Sequence, residues 1–304
     1  MNAIKFFLQV MIMFFLLANA QATANEQSDI DLLVNQKLEE GNKLFQDRNY
    51  ADAITFYDEA LKINPNNATI YYQIAVAYKN LERYGLAIKN YSKAIEINPN
   101  FSEAYHNRGA IYKNFGEYEL AIADFSKVIQ FNPDDSNEYV NRGTSYSELG
   151  KYELALADFD KALQINPNSF AYHYRGIAHF RLENYKQAIQ DFNRALDLNP
   201  HLSFAYYYRG SAHFRLAQYK LAIKDFDATL KINPKLSSAY YYRGSAYDKL
   251  KKYKRAIADY DKAIENYPIF TDAYYNRGLC YQKLGDDAKA QADFAKAKEL
   301  GWKD

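Results

Sequence analysis

Cysteine is almost absent from the sequence, and no charge of one sign is in excess. The single cysteine, Cys280, cannot form an internal disulfide and cannot supply a cluster of thiolates for zinc. The 38 Lys and Arg residues are matched by 37 Asp and Glu residues. Because no basic excess remains to neutralise a phosphate backbone, we expect no nucleic-acid partner.

Signals of catalysis are missing as well. The sequence has no glycine-rich phosphate loop and no serine nucleophile elbow. No two of the five histidines are spaced to share one helical face as metal ligands. We therefore predict no enzyme activity, no cofactor and no metal site.

The first twenty residues have the layout of a secretory signal. Lys5 is the only charge, residues 6–17 are apolar with one interruption, and small residues occupy 18–20 around an asparagine. The apolar run is shorter than the roughly 20 residues that span a bilayer. We predict a signal peptide over 1–20, a flexible leader over 21–33, no stable membrane span after cleavage, and export to the periplasm or outside the cell. An uncleaved anchor is the alternative.

The few prolines recur at a fixed interval. Successive prolines are 34 residues apart, except for one gap of 33, and asparagine precedes all but the last. Because a residue before proline is pushed out of the helical region, each Asn-Pro ends a helix. The prolines are Pro65, Pro99, Pro133, Pro167, Pro200, Pro234 and Pro268.

Each interval between prolines predicts two helices. The first opens on a hydroxyl residue suited to accept helix-start amide hydrogen bonds, such as Ser102 or Thr271. The second carries an apolar stripe at helical spacing, for example from Tyr152 to Leu163. Helices this short are marginal alone, so the hairpins must bury their stripes against one another in a stack.

Residues at fixed places in the period resemble tetratricopeptide repeats. A glycine stands at position 8 in seven of eight units, an alanine at position 20, and Tyr or Phe at position 24; tyrosine replaces the family's tryptophan at position 4. The resemblance implies an all-α fold, a right-handed α-solenoid of eight repeats forming one domain over residues 34–304. The repeats are 34–67, 68–101, 102–135, 136–168, 169–202, 203–236, 237–270 and 271–304.

Six consecutive repeats pair an arginine with an aspartate sixteen residues later. The first two repeats lack both, which indicates that the partners belong to the two helices of one hairpin. We predict a structural, half-buried ion pair across each hairpin. The pairs are Arg108 with Asp124, Arg142 with Asp158, Arg175 with Asp191, Arg209 with Asp225, Arg243 with Asp259, and Arg277 with Asp293.

The resemblance also implies a groove lined by first helices, through positions 2, 5, 6, 9, 12 and 13. In repeats 5 to 7 these positions are unusually aromatic, and Tyr and Arg are favoured at binding hot spots. We predict a ligand-binding groove for a protein or an extended peptide. Its residues are Phe170, His173, Tyr174, Phe180, Arg181, Phe204, Tyr207, Tyr208, Phe214, Arg215, Tyr241 and Tyr242.

Asparagines stand at position 6 in three other repeats, Asn107, Asn141 and Asn276. They resemble the amides by which some members of the family hold a peptide backbone. Two alternatives stay open for the aromatic residues: a deeper core that shows only tyrosine hydroxyls, or a polysaccharide surface used in envelope assembly or exopolysaccharide export.

The last repeat has Lys298 where the other repeats have an apolar residue and Asp287 where they have Tyr. We therefore predict that its end is a candidate for self-association.

Overall fold

The computed structural model describes residues 28–303, so the predicted signal peptide lies outside the described residues, as does most of the leader. Within that range the chain forms sixteen helices joined by turns and contains no strand, which confirms the predicted all-α repeat fold. Odd-numbered helices are the first, and even-numbered helices the second, of eight hairpins. They are α1 (28–46), α2 (Tyr50–Ile63), α3 (Ala68–Asn80), α4 (Tyr84–Ile97), α5 (Ser102–Asn114), α6 (Tyr118–Phe131), α7 (Ser136–Glu148), α8 (Tyr152–Ile165), α9 (Ser169–Arg181), α10 (Tyr185–Leu198), α11 (Ser203–Arg215), α12 (Tyr219–Ile232), α13 (Ser237–Lys249), α14 (Tyr253–Asn266), α15 (Thr271–Lys283) and α16 (Asp287–Glu299).

Each hairpin closes around a small residue and an aromatic ring. In repeat 5, Gly176 of α9 lies against Phe192 of α10, and a Cβ added to this glycine would lie 2.8 Å from the ring Cε1. Ala188 and Phe192 are fully buried. Glycine at position 8 therefore allows a close approach of the two helices, because a Cβ there would force the ring to shift; repeat 2, with Ala75 at this position, still buries Tyr91 fully.

The helix ends follow two turn geometries. Second helices end before the prolines as predicted; Asn233, for example, donates its backbone N–H to the Thr229 carbonyl at the end of α12. Each first helix is followed, two residues after its end, by a residue with left-handed backbone, which Gly116 adopts without strain at φ +79° and Ala217 adopts at φ +56°. The same position has positive φ in all eight turns: Arg48, Glu82, Gly116, Gly150, Glu183, Ala217, Lys251 and Gly285.

The prediction that hydroxyl residues cap the first helices is wrong in its register. Ser102 and Thr271 are the first helical residues rather than the caps, and the preceding Phe101 and Phe270 make no side-chain cap. Where a side chain does cap a first helix, it comes from an Asn or Asp one position earlier, whose side-chain oxygen accepts from the second or third amide of the helix. These caps are Asn67, Asp135 and Asn168.

The described helices belong to two compact units, divided between Pro133 and Asp134. The first unit contains α1–α6 and the second contains α7–α16. Within each unit, the two helices of a hairpin pack against each other, and a second helix also packs against the first helix of the next repeat in that unit. The single solenoid over 34–304 stays a prediction.

Candidate binding surface on the first helices

The first helices of the second unit form a shared surface. Successive first helices from α7 to α15 contact one another, and they approach each other more closely than successive second helices do. The first helices therefore lie on the inner side of this unit. We call the surface formed by α7, α9, α11, α13 and α15 the first-helix face.

Tyrosines at position 6 join neighbouring repeats on this face. The ring of Tyr208 lies parallel to that of Phe192 in the preceding repeat, with centroids 6.1 Å apart and planes 18° apart. Offset stacking of this kind stabilises the contact beyond the area it buries. The tyrosine faces are therefore used within the protein. The same stack recurs between Tyr174 and Phe159 at 6.3 Å and between Tyr242 and Phe226 at 6.1 Å.

Residues at position 5 lie deeper than the resemblance implied. His173 is only 8% exposed, and its ring packs edge-on against Tyr208 with centroids 6.2 Å apart. Tyr207 and Tyr241 are half-buried. Burial raises the pKa of each phenol to about 12. These three residues pack between repeats, which is closer to the deeper-core alternative than to an open groove.

The exposed part of the predicted groove is smaller and lies at positions 2 and 13. Phe170 is 54% exposed and Phe204 is 51% exposed. Arg181 and Arg215 are exposed, whereas Phe180 and Phe214 are half-buried, as are Tyr208 and Tyr242. Tyr174 lies at the margin, with 36% of its surface exposed. The first-helix face thus presents two phenylalanines and two arginines above a layer of packed rings.

The asparagines predicted to hold a peptide backbone contact the protein itself. Asn107 donates to the Tyr72 hydroxyl and the Glu103 carbonyl, and it accepts from Lys79 Nζ at 2.8 Å. Asn276 donates to the hydroxyl of Tyr241 at 2.9 Å. Asn141 is half-buried. Two of the three amides therefore link neighbouring repeats, and Asn107 has its groups already engaged.

The structure brings together the six predicted arginine–aspartate pairs. In repeat 6, Arg209 donates from Nε to Asp225 Oδ2 at 2.9 Å and from Nη2 to Oδ1 at 2.6 Å. The aspartate side chain is 5% exposed and the arginine side chain 20%. Bidentate geometry of this kind makes the strongest charged hydrogen bonds. The other pairs have the same geometry: Arg108–Asp124, Arg142–Asp158, Arg175–Asp191, Arg243–Asp259 and Arg277–Asp293.

Five of the six arginines also have a partner that the sequence analysis missed. Arg209 donates from Nη1 to Asn193 Oδ1 of the preceding repeat at 2.7 Å, and its guanidinium lies 5.3 Å from the ring centre of Tyr206. The arginine therefore ties two repeats together as well as two helices. Equivalent bonds join Arg108 to Ser92, Arg175 to Asp160, Arg243 to Asp227, and Arg277 to Asp261.

The signal for this second partner is present at position 25. Position 25 is Ser, Asp or Asn in the first seven repeats. In the last repeat it is Ala295, and the sequence contains no arginine after it. Hydrogen bonding to Asp191, against the effect of burial and with further help from Asp160, raises the pKa of Arg175 above its already high ordinary value. Arg175 therefore stays charged across the physiological pH range.

Buried His173 should make stability depend on pH. Its Nδ1 has no hydrogen-bond partner, and burial lowers its pKa to about 4 from the ordinary 6.5. As the pH falls, His173 is protonated near pH 6.5 in the unfolded chain but only near pH 4 in the folded chain. Protonation therefore favours the unfolded state, and stability is lost progressively below about pH 6.5. We expect the free energy of unfolding to fall by about 2–3 kcal/mol between pH 7.5 and pH 4.5 from this residue.

Urea unfolding at the two pH values measures this effect in the wild type and in His173→Phe. The phenylalanine variant should lose that share of the pH dependence, because the remaining carboxylates titrate alike in both proteins. His201→Phe is the matched control, since His201 is exposed in a turn. Equal pH dependence in the wild type and His173→Phe would contradict the prediction.

Other candidate chemistry on the described residues is limited. Among residues 28–303, no group of three or more His, Cys, Asp or Glu side chains is arranged to hold a metal ion. No helix in that part of the chain has the length and apolar character needed to cross a membrane. Cys280 is fully buried, and burial raises the pKa of its thiol to about 12. A buried thiol that stays protonated is a weak nucleophile.

The end of the last repeat is partly covered by its own tail. Trp302 stacks on Tyr275 with ring centroids 4.3 Å apart and planes 16° apart. Beside the two rings, Leu279, Phe294 and Lys298 line an open cavity of about 480 Å³. In the preceding repeat the corresponding ring, Tyr260, is buried by the repeat that follows. The end of repeat 8 therefore retains an apolar surface with charged Lys298 at its border.

Comparison with protein families accounts for the repeat pattern. The family model described as tetratricopeptide repeat matches residues 68–101, 102–135, 136–169, 169–202 and 237–270. Related models described as TPR repeat or tetratricopeptide repeat match 41–82, 203–236 and 259–292. Together these matches reach every repeat identified in the sequence.

Individual relatives are similar over parts of the chain. Sperm-associated antigen 1 of Rattus norvegicus is 48% identical over 46 residues, which is 15% of this chain and 5% of the antigen. The crystal structure of YrrB, described as a TPR protein with an unusual peptide-binding site, is 26% identical, with a TM-score of 0.52 over 62% of this chain and 97% of YrrB. The C-terminal part of a TPR repeat-containing protein from Cytophaga hutchinsonii is 22% identical, with a TM-score of 0.63 over 78% of this chain and 97% of that one.

Proposed function

This chain belongs to the tetratricopeptide repeat family, and from that premise we propose that it is a non-enzymatic scaffold that binds a protein or an extended peptide. The first-helix face of the second unit is the proposed binding surface. The observation that carries this proposal is the pair of half-exposed phenylalanines, Phe170 and Phe204, at the same position of adjacent repeats. Exposed apolar surface of this kind marks interaction sites.

The chemistry of the face suits a peptide. Helical spacing puts position 2 on the same side as position 13, so Phe170 and Arg181 belong to one stripe of α9, and Phe204 and Arg215 to one stripe of α11. Aromatic and arginine side chains dominate binding hot spots. Arginine can donate to peptide carbonyls and carboxylates, while the phenylalanines bury apolar side chains. YrrB, which has a peptide-binding site by its description, supports the same assignment.

The packing of the tyrosines favours a peptide over a polysaccharide. Sugar rings stack on open aromatic faces, but Tyr208 and Tyr242 have a face against Phe192 and Phe226. The aromatic surface that remains open comes mainly from two phenylalanines, which have no hydroxyl to share with a glycan. Use of this face in exopolysaccharide export or envelope assembly is therefore our second candidate, supported only by the number of tyrosine edges.

The proposed binding is tested by replacing the exposed rings alone. Phe170→Ser combined with Phe204→Ser should weaken binding to the positive peptides of an array by about tenfold or more, because two hot-spot side chains are lost. Helicity should be unchanged, since both rings lie at the surface. The measurement is peptide-array binding followed by titration of the best peptide, with a glycan array in parallel.

Phe115→Ser is the matched control, because Phe115 is 59% exposed but lies in a turn outside the second unit. It should bind like the wild type. Unchanged peptide binding by the double variant would remove the first-helix face as the binding surface. Binding to the glycan array but not to the peptide array would favour the second candidate, use of the face in exopolysaccharide export or envelope assembly.

We also propose that the scaffold acts after export, in a periplasm or outside the cell, because residues 1–20 have the composition of a signal peptide. Fractionation of cells that express the full chain tests this: the mature protein should leave the cytoplasm and lose about 20 residues. We further propose that the end of repeat 8 mediates self-association, and a monomeric mass in light scattering at high concentration would exclude it.

A further inference from the structure

In repeats 5 and 6, position 12 holds a phenylalanine that packs between two tyrosines. In repeat 5, the ring of Phe180 meets Tyr185 of its own hairpin edge-on at 5.4 Å and Tyr208 of the next repeat at 5.8 Å. Such T-shaped contacts are the preferred geometry of aromatic pairs. The arrangement recurs where the same residue types are present: Phe214 lies 5.4 Å from Tyr219 and 6.2 Å from Tyr242, and Phe45 lies 5.1 Å from Tyr50.

Repeat 4 has the two tyrosines but not the phenylalanine. Ser147 stands at position 12, and it is the smallest residue at this position in the eight repeats. Tyr152 of repeat 4 and Tyr174 of repeat 5 correspond to Tyr185 of repeat 5 and Tyr208 of repeat 6. Both line a cavity of about 330 Å³ that opens on the first-helix face. The cavity thus lies where repeats 5 and 6 place a phenyl ring.

The lining of this cavity is suited to a ligand rather than to solvent alone. Its volume is at the lower end of small-molecule sites, roughly 300–1,000 Å³. Ile177 adds an apolar wall, and the hydroxyl oxygen of Ser147 is buried without a hydrogen-bond partner.

We infer that this cavity, which we call the Ser147 slot, binds an aromatic side chain of an extended peptide. The inference rests on the proposed peptide-binding function and names one side chain of the partner. The peptide ring occupies the place of Phe180 and Phe214 in the neighbouring repeats and meets Tyr152 and Tyr174 edge-on.

Two charged side chains at the border of the slot complete the fit. Glu148 and Arg181 both line the cavity and are both exposed. A carboxylate accepts from a peptide N–H, and a guanidinium donates to a peptide carbonyl. These hydrogen bonds to the backbone do not depend on the peptide sequence. The slot therefore selects the aromatic side chain, and Glu148 and Arg181 bind the peptide backbone on either side of that side chain.

Filling the slot from within the protein provides the test. In Ser147→Phe the new ring takes the place that Phe180 takes in the next repeat, so the variant should fold and unfold at a temperature no lower than the wild type. The test peptide is acetyl-glycyl-4-fluorophenylalanyl-glycine amide, followed by fluorine NMR with the full chain. We expect the wild type to bind with a dissociation constant on the order of 1 mM, and Ser147→Phe to bind about tenfold or more weakly.

Two further variants sharpen the result. Lys161→Phe adds the same ring on the exposed side of α8 in the same repeat and should bind like the wild type. Phe180→Ser opens an equivalent slot in repeat 5, so the number of bound test peptides should rise from one to two. Equal binding by the wild type and Ser147→Phe, or no binding by the wild type, overturns the inference.

The peptide array separates this outcome from failure of the proposed function. If array peptides bind the wild type and Ser147→Phe equally well, the slot is not used and the scaffold proposal stands. If no array peptide binds the wild type, the scaffold proposal itself fails. If Ser147→Phe loses binding mainly to those array peptides that contain Phe or Tyr, the result supports both the slot and the scaffold proposal.

Discussion

Replacing Asp225 by alanine is expected to lower the free energy of unfolding by about 3 kcal/mol. The aspartate side chain is 5% exposed and holds Arg209 through two hydrogen bonds. Its removal leaves a largely buried guanidinium with only Asn193 as a hydrogen-bond partner, and an unpaired buried charge costs several kcal/mol. Chemical denaturation followed by circular dichroism measures the change.

An exposed pair in the same unit provides the matched control. Arg194 and Asp197 are 3.9 Å apart, with side chains 71% and 69% exposed. Asp197→Ala should cost less than about 1 kcal/mol, because exposed ion pairs are screened by water. A similar cost for Asp225→Ala and Asp197→Ala would show that burial does not strengthen the repeat ion pairs.

A double-mutant cycle separates the pair from its surroundings. Arg209→Ala alone loses Asp225 and Asn193 together, whereas the double variant leaves no unpaired charge. The double variant should therefore be clearly less destabilised than the sum of the two single variants, with a coupling of about 2 kcal/mol. Coupling near zero would mean that the two side chains contribute independently, against the hydrogen bonds between them.

The pairing of these charges follows from the sequence, but their role between repeats does not. Arginine and aspartate appear and disappear together along the chain, which indicates a contact within one hairpin. That argument treats each arginine as having one partner. A guanidinium has five N–H donors in a fixed plane, so a bidentate aspartate leaves donors free for a third group. Position 25 supplies it, and Asp58 keeps that residue type in repeat 1 although Ile74 replaces the following arginine.

The aromatic groove shows the same limit of sequence reasoning. Helical spacing predicts that positions 5 and 6 face the groove, but it does not tell whether the next repeat covers them. Tyr208 is covered because Phe180 and Phe192 of the preceding repeat both reach its ring. Exposure at these positions depends on residues more than 15 positions away, whose approach is set by the stacking of hairpins. Ser147 illustrates the point, since its effect appears only in the cavity beside Tyr174.

The largest loss of stability is expected when a position 24 ring is removed. Phe226 is fully buried, and its ring lies 6.0 Å from Tyr207 of its own hairpin and 6.1 Å from Tyr242 of the next repeat. Phe226→Ala should cost about 3–5 kcal/mol, because it removes these contacts and leaves a cavity. Phe204→Ala in the same repeat should cost less than about 1 kcal/mol, since Phe204 is 51% exposed.

The cost should also be unevenly distributed along the second unit. In stacked repeats, stability is the sum of the repeats and of the contacts between neighbours, so damage between repeats 6 and 7 weakens their coupling first. A single unfolding free energy then no longer describes the variant, and amide hydrogen exchange resolved by helix is the suitable measurement. We expect faster exchange in α11–α14 of Phe226→Ala, with α7 and α8 unchanged. Uniformly faster exchange across all these helices would show instead that the second unit unfolds as one cooperative body.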